Sequence, residues 1–158
     1  MKDVWPEIFG YSIFCEDIRE ETGNKKSYMG VFHTDMGIQV PLPTALPKFC
    51  MAIHYIERVE LEPKRLELML FLPGDDEETP SIRSIIPHEE HLTARKLAVE
   101  NGNKVISMVA PVILAPFAIN VFGEIRVRMK RGDDEIVRLG ALRIVPQPAA
   151  NTSPQAEN

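Results

Sequence analysis

Apolar and polar residues alternate with a period of two along much of the chain, which is typical of half-buried β-strands. Between residues 65 and 73, four leucines occupy every second position. Between residues 124 and 130, three apolar residues alternate with four charged ones, and a Gly-Asp turn follows at 132–133. A second alternating run returns over residues 135–145, so this region predicts a β-hairpin. Gly140 shifts the phase of that run, as a β-bulge does.

Three further regions predict strands. Residues 11–33 hold two apolar runs around the polar turn 19–26, which indicates another hairpin. Residues 49–59 are apolar on both faces, as expected for a central strand of a packed sheet. Residues 104–122 add more strands, and Pro111 and Pro116 are then expected at edges, ends or bulges.

The segment from Pro87 to Gly102 has a different pattern. It begins with proline, carries acids in its first turn and bases further on, and ends in Asn-Gly. These features favour a helix. An extended segment with Asn101-Gly102 as a hairpin turn is the alternative.

These elements together predict a mainly β protein. The fold class is a two-sheet antiparallel β-sandwich, immunoglobulin-like, with at most one short helix. Residues 1–146 are expected to form a single domain. Residues 147–158 lack apolar content and are expected to form a disordered tail.

Composition and charge disfavour several classes of function and location. The 158 residues carry a net charge of −5, which argues against nucleic acid as a partner. We find no run of about 18 apolar residues that would span a membrane, and residues 1–10 do not resemble a signal peptide. A cytoplasmic location is the default expectation, with Cys15 and Cys50 reduced and buried. No cofactor is expected.

The segment "FCEDIREETGNKKSYMGVF" resembles the N-terminal signature of an uncharacterised bacterial and phage family. The matching residues are Cys15, Glu16, Asp17, Ile18, Arg19, Asn24, Lys25, Gly30, Val31 and Phe32. The region around 123–139 is also similar to that family. The resemblance implies a β-sandwich fold and no known activity.

Asp17 and Arg19 are the candidate binding residues. They lie two positions apart, so in a strand they share a face and can pair with each other or across the turn. The alternative to a purely structural pair is a binding surface built from both.

The segment His88-Glu89-Glu90-His91 is the candidate metal site. On a helix, His88 and His91 lie one turn apart and could share a metal with Glu89. The spacing differs from that of the zinc-protease motif. The alternative is an acidic helix start with two exposed histidines.

Three other motifs give weaker evidence for a chemical role. Cys15 or Cys50 as a nucleophile would need a histidine nearby, and no local motif supplies one. The acidic stretch 74–78 could bind calcium, but its ligand spacing does not match the helix-loop-helix pattern, and a solvated hairpin tip explains it equally. The Arg-Gly-Asp triplet at 131–133 is expected to be a turn.

The function predicted from these features is a non-enzymatic β-sandwich module for protein interaction or self-assembly. Its partner would be another protein or a second copy of the chain. The candidate surface is the apolar run 107–117, for which burial in the core is the alternative. A metal-binding protein or metal-dependent enzyme using His88, Glu89 and His91 is the second hypothesis.

Overall fold

A computed structural model describes residues 6–148 of the chain. This part contains eleven β-strands and one α-helix. They are β1 (Ile8–Glu21), β2 (Lys25–Phe32), β3 (Asp35–Ile38), β4 (Thr44–Leu46), β5 (Phe49–Arg58), β6 (Leu66–Phe71), β7 (Ile82–Ile86), α1 (His88–Glu100), β8 (Val105–Leu114), β9 (Phe117–Ile119), β10 (Gly123–Arg131) and β11 (Glu135–Pro146).

Two main sheets pack against each other. The first sheet has the strand order β2-β1-β5-β8, and the second has the order β3-β11-β10-β6-β7. β4 and β9 form a separate two-stranded sheet. The predicted mainly β sandwich with one short helix is therefore confirmed. One pairing departs from the predicted antiparallel arrangement, because β3 lies parallel to β11. The immunoglobulin-like topology stays a prediction.

The core lies between the facing sides of the two sheets. The alternating runs place their apolar residues there as predicted. Leu70 and Leu68 of β6 lie beside Val127 and Met129 of the neighbouring strand β10. β5 lies between β1 and β8, which confirms the predicted central strand. Burial of such side chains contributes about 1.5–3 kcal/mol each to the free energy of folding.

Both predicted hairpins form. β1 pairs with β2 across a turn in which Asn24 has a φ of 58°. β10 pairs with β11 across the turn that begins at Gly132. The pairing of β10 with β11 slips by one residue between Val127 and Arg128, opposite Gly140, whose φ is 125°. The predicted bulge is confirmed.

The predicted helix is also confirmed. α1 follows Pro87 directly, carries Glu89 and Glu90 in its first turn, and ends at Glu100, before Asn101 and Gly102. It connects β7, the last strand of the second sheet, to β8, the last strand of the first, and it lies against β8.

The predicted tail begins at residue 147, and its residues 149–158 lie outside the described part of the chain. The described part reaches Pro148, and the backbone amide of Gln147 still donates to the carbonyl of Ile38 at 2.9 Å. Within residues 6–148, the helix is too short and too polar to cross a membrane.

Candidate interaction surface

The outward side of the first sheet carries mostly apolar residues, and we call it the apolar face. Strand register assigns its members: Phe9, Tyr11, Ile13 and Cys15 of β1, Met29 and Val31 of β2, Cys50, Ala52, His54 and Ile56 of β5, and Ser107, Val109, Pro111 and Ile113 of β8. None of these side chains carries a charge at neutral pH. The side of a sheet that faces water usually carries polar residues, so this composition is unusual.

Several large side chains of the apolar face remain exposed. Tyr11, Val31 and Val109 are each more than two-fifths exposed, and Ile113 is 53% exposed. They lie on three strands on the same side of one sheet, around the buried side chains of Cys15, Cys50 and Ala52. Contiguous apolar surface of this kind is typical of interaction sites.

The predicted surface run 107–117 contributes to both sides of the sheet. Along β8, Val109 and Ile113 point outward and are exposed, whereas Met108 and Val112 pack against the core. Alternate residues of this segment therefore belong to the core and to the surface, as its two alternatives proposed separately. Pro111 lies in this edge strand, which is where proline is tolerated.

The two cysteines face each other in the apolar face. Cys15 of β1 and Cys50 of β5 are register partners, and both are fully buried free thiols. Burial, together with the neighbouring Cys50, raises the pKa of the Cys15 thiol to about 11. A thiol of such high pKa is a poor nucleophile at neutral pH, so this arrangement suits packing and not catalysis.

His54 lies in the middle of the apolar face. Its ring stacks on that of Tyr11, with 4.5 Å between ring centroids and 10° between planes. Its Nε2 atom is buried and has no hydrogen-bond partner among residues 6–148. Burial lowers the pKa of His54, which keeps the imidazole neutral. The centre of this face is therefore uncharged even where a titratable residue is present.

Asp17 and Arg19 lie at one end of the apolar face, next to Cys15 on β1. Arg19 Nε donates to Asp17 Oδ2 at 3.1 Å, and Lys48 Nζ donates to the other carboxylate oxygen. These hydrogen bonds, from Lys48 first and from Arg19 second, lower the pKa of Asp17. The structure thus brings the two predicted binding residues together at the rim of the apolar surface. Lys48, which the sequence did not single out, completes the group.

A groove of about 810 Å³ lies at the opposite end of the apolar face. Its walls include Ile56, Val105 and Ser107, together with the charged residues Arg58, Glu60 and Lys104. Arg58 Nη1 donates to Glu60 Oε1 at 3.1 Å. Charged groups therefore border the apolar face at both ends and leave its middle uncharged.

The outward side of the second sheet is rich in arginine, and we call it the arginine face. It carries Arg83, Arg126, Arg128, Lys130, Arg138 and Arg143, with Asp35, Glu67, Met69, Phe71, Ile85, Glu124 and Ile136 between them. The guanidinium carbons of Arg126 and Arg128 lie 4.8 and 5.0 Å from the centre of the Phe71 ring. Because these arginines cover it, Phe71 is buried although it points outward.

The acidic stretch 74–78 folds onto the arginine face. Glu77 accepts from Arg126 and, at 3.1 Å, from Arg128 Nη2. Asp75 accepts from the backbone amides of Leu72 and Ser81, at 2.9 and 2.8 Å. Two of its carboxylates therefore bind groups of the same chain. This favours the hairpin-tip alternative over a calcium site.

The segment 88–91 does not bring its two histidines to one point. His91 is buried and places Nε2 2.6 Å from Glu57 Oε1, whereas His88 and Glu89 are exposed at the helix start. The two imidazole rings lie 6.4 Å apart, edge to face. Across residues 6–148, no group of three or more histidine, cysteine or carboxylate side chains is arranged to hold a metal ion. A metal bound through His88, Glu89 and His91 stays a prediction.

Glu57 forms a buried polar cluster that sequence reasoning missed. Its carboxylate, which is fully buried, accepts from Tyr55 Oη at 2.7 Å, Arg95 Nη2 at 2.8 Å and Arg131 Nε at 3.2 Å, in addition to the His91 contact. Burial alone would raise the pKa of Glu57, but the bonds from His91, Tyr55 and Arg131 lower it to about 2. The carboxylate is therefore ionised, and it joins both sheets and the helix.

No protein-family model matches the chain, and no curated protein matches it. The resemblance of residues 14–32 to an uncharacterised bacterial and phage family therefore stays a prediction. Any assignment of function has to start from the surfaces and clusters described above.

Proposed function

We propose that this protein is a non-enzymatic self-assembly module in which the apolar face of one copy packs against the apolar face of a second. The exposed side chains of Tyr11, Val31, Val109 and Ile113 carry the proposal, because they lie on the same side of one sheet. Packing that surface against its own copy removes it from water, which is the main driving force for such association.

The apolar face approaches the size of a dimer interface when its rim is included. Strands lie about 4.8 Å apart, and residues on one side of a strand recur about every 6.8 Å, so each position covers about 33 Å². The fourteen residues of the face lie on four strands and therefore cover about 460 Å² by this spacing. Specific dimers bury about 600 to 1,000 Å² on each partner, a size that the face reaches together with the charged residues at its two ends.

The charge pattern also allows two identical faces to meet. The middle of the face is uncharged, and each end holds ion pairs within the same copy: Asp17 with Arg19 and Lys48 at one end, and Arg58 with Glu60, beside Lys104, at the other. Like charges brought together across an interface would oppose association. Here the paired charges form a polar rim around an apolar centre, which is the usual anatomy of an interface.

The decisive experiment measures the mass of the protein in solution against its concentration. Sedimentation equilibrium or light scattering should show a reversible dimer. Ile113→Asp, which places a carboxylate in the middle of the proposed interface, should give a monomer. Ile85→Asp is the matched control, because Ile85 is 55% exposed but lies on the arginine face. It should dimerise like the parent protein.

Two results would overturn the proposal. One is a monomer at about 1 mM, which corresponds to an association free energy weaker than about −4 kcal/mol. The other is equal loss of the dimer in both aspartate variants. Circular dichroism and thermal unfolding of each variant establish that the fold is intact.

A further inference from the structure

The helix α1 is attached to the sandwich in an unusual way. Its inward stripe consists of His91, Ala94, Arg95 and Ala98, at the helical spacing of three and four residues. The stripe contains no large apolar side chain. The large apolar residues of the helix are instead exposed, namely Leu92, Leu97 and Val99. A surface helix normally buries its leucines and valines against the core.

Polar contacts take the place of apolar packing. Arg95 Nη2 donates to Glu57 Oε1 at 2.8 Å, Arg95 Nη1 donates to the backbone carbonyl of Val59, and His91 lies 2.6 Å from the same carboxylate oxygen. The two alanines add little apolar area. The helix is therefore held mainly by its contacts with one carboxylate and one carbonyl of β5 and the segment that follows it.

Two partners of the Glu57 carboxylate do not belong to the helix. Tyr55 Oη and Arg131 Nε both bind Glu57 Oε2, and both come from strands of the sandwich. Arg131 also donates to Glu135 Oε2 at 3.0 Å, and Lys64 donates to Glu135 Oε1 at 2.9 Å. Detachment would return His91 and Arg95 to water and leave Glu57 with a cation beside it. The large penalty for an unpaired buried charge therefore does not arise.

We propose that α1 is a detachable cover. It leaves the sandwich as a unit by breaking its contacts with Glu57 and Val59, while both sheets stay folded. α1 lies against β8, the edge strand of the first sheet, in which only Ile106 is buried. Detachment therefore opens the side of the molecule where the helix meets this strand. The proposal does not depend on dimerisation through the apolar face.

Native-state hydrogen exchange on the unmodified chain tests the proposal directly. The amides of α1 should exchange at least about 100-fold faster than those of β5 and β10, as expected for a local opening. Their exchange should also depend less on denaturant, because a local opening exposes little surface. Equal protection and equal denaturant dependence in α1 and β5 would overturn the proposal.

Two helix variants identify the contacts that hold the cover. Arg95→Ala should raise exchange in α1 by at least about 10-fold, the change expected on losing hydrogen bonds between charged groups, with β5 and β10 unchanged. Lys96→Ala is the matched control, since Lys96 is the adjacent residue and is exposed. A rise of equal size in α1, β5 and β10 with Arg95→Ala would show that the helix unfolds only with the whole protein. If that variant does not fold, the measurement on the unmodified chain still decides.

Discussion

The outward sides of the two sheets differ in whether their apolar side chains are covered by neighbouring residues. On the arginine face, Phe71 points outward but is covered by Arg126 and Arg128, and Glu77 then pairs with both arginines. On the apolar face, Tyr11, Val109 and Ile113 also point outward, and no charged side chain shares the middle of that face to cover them.

The difference shows that a surface suited to binding is marked by the exposure of its apolar side chains, and not by composition alone. Long arginine side chains lay apolar stems over a neighbouring ring while their charged ends stay in water. Valine, isoleucine and alanine have no such reach. An aromatic residue beneath arginines is therefore part of the monomer's own packing, whereas apolar residues among short neighbours remain available to a second molecule.

The largest expected effect is a difference in stability between two variants. One replaces a carboxylate behind the apolar face, and the other replaces a carboxylate on the arginine face. Glu57→Gln should lower the free energy of unfolding by about 3–5 kcal/mol, because it removes the buried carboxylate that Arg95 and Arg131 share, although Arg131 keeps Glu135. Glu77→Gln should leave stability unchanged within error, since Glu77 is exposed. Urea unfolding of both variants measures this. A similar small loss in the two would mean that the Glu57 cluster contributes little.

Next in size is the contrast between the apolar side chains of the two faces. Phe71→Ala should cost about 3 kcal/mol of stability, as for a buried aromatic residue. Val109→Ala, measured at concentrations where the protein is monomeric, should cost less than about 1 kcal/mol. Equal costs would contradict the view that only one face is covered by its own chain.

The pH dependence of stability should report the Glu57 cluster. The pKa of Glu57 is about 2 in the folded protein and 4.5 without its contacts, so its contribution is complete above pH 4.5 and is lost as pH falls toward 2. The difference corresponds to about 3 kcal/mol. Urea unfolding across this range should show the loss in the parent protein and a shallower slope in Glu57→Gln. If stability depended on pH equally in both proteins, the loss of stability in acid would come from other carboxylates.

The smallest expected effect lies at the rim of the apolar face. Arg19→Ala should weaken dimerisation by no more than about 5-fold, because exposed ion pairs contribute about 0–1 kcal/mol. Sedimentation equilibrium beside Ile113→Asp gives the comparison. A larger effect from Arg19 than from Ile113 would move the binding site from the apolar centre to its charged end.

The sequence predicted the sandwich because alternation is a local signal. The β10–β11 hairpin, the bulge opposite Gly140 and the helix after Pro87 follow from neighbouring residues alone. The parallel pairing of β3 with β11 joins residues more than a hundred positions apart, so no local pattern could indicate it.

The Glu57 cluster was missed for the same reason. Glu57 ends an apolar strand, where a carboxylate normally reaches water, and Arg131 precedes a turn, where arginine is normally exposed. Their partners Tyr55, His91 and Arg95 come from one strand and from the helix. The alternation of β5 offered one signal, since Glu57 follows Ile53 and Tyr55 on the inward side. His91, by contrast, was recognised only as a metal-ligand candidate.

The paired cysteines give the protein a reporter of motion in the apolar face. Cys15 and Cys50 are neighbours on β1 and β5, with no accessible thiol surface and, for Cys15, a raised pKa. Both lie on the outward side of the sheet, so a thiol reagent reaches them when the side chains that cover them move apart. The labelling rate of the unmodified chain would measure how often this part of the apolar face opens, without any added probe.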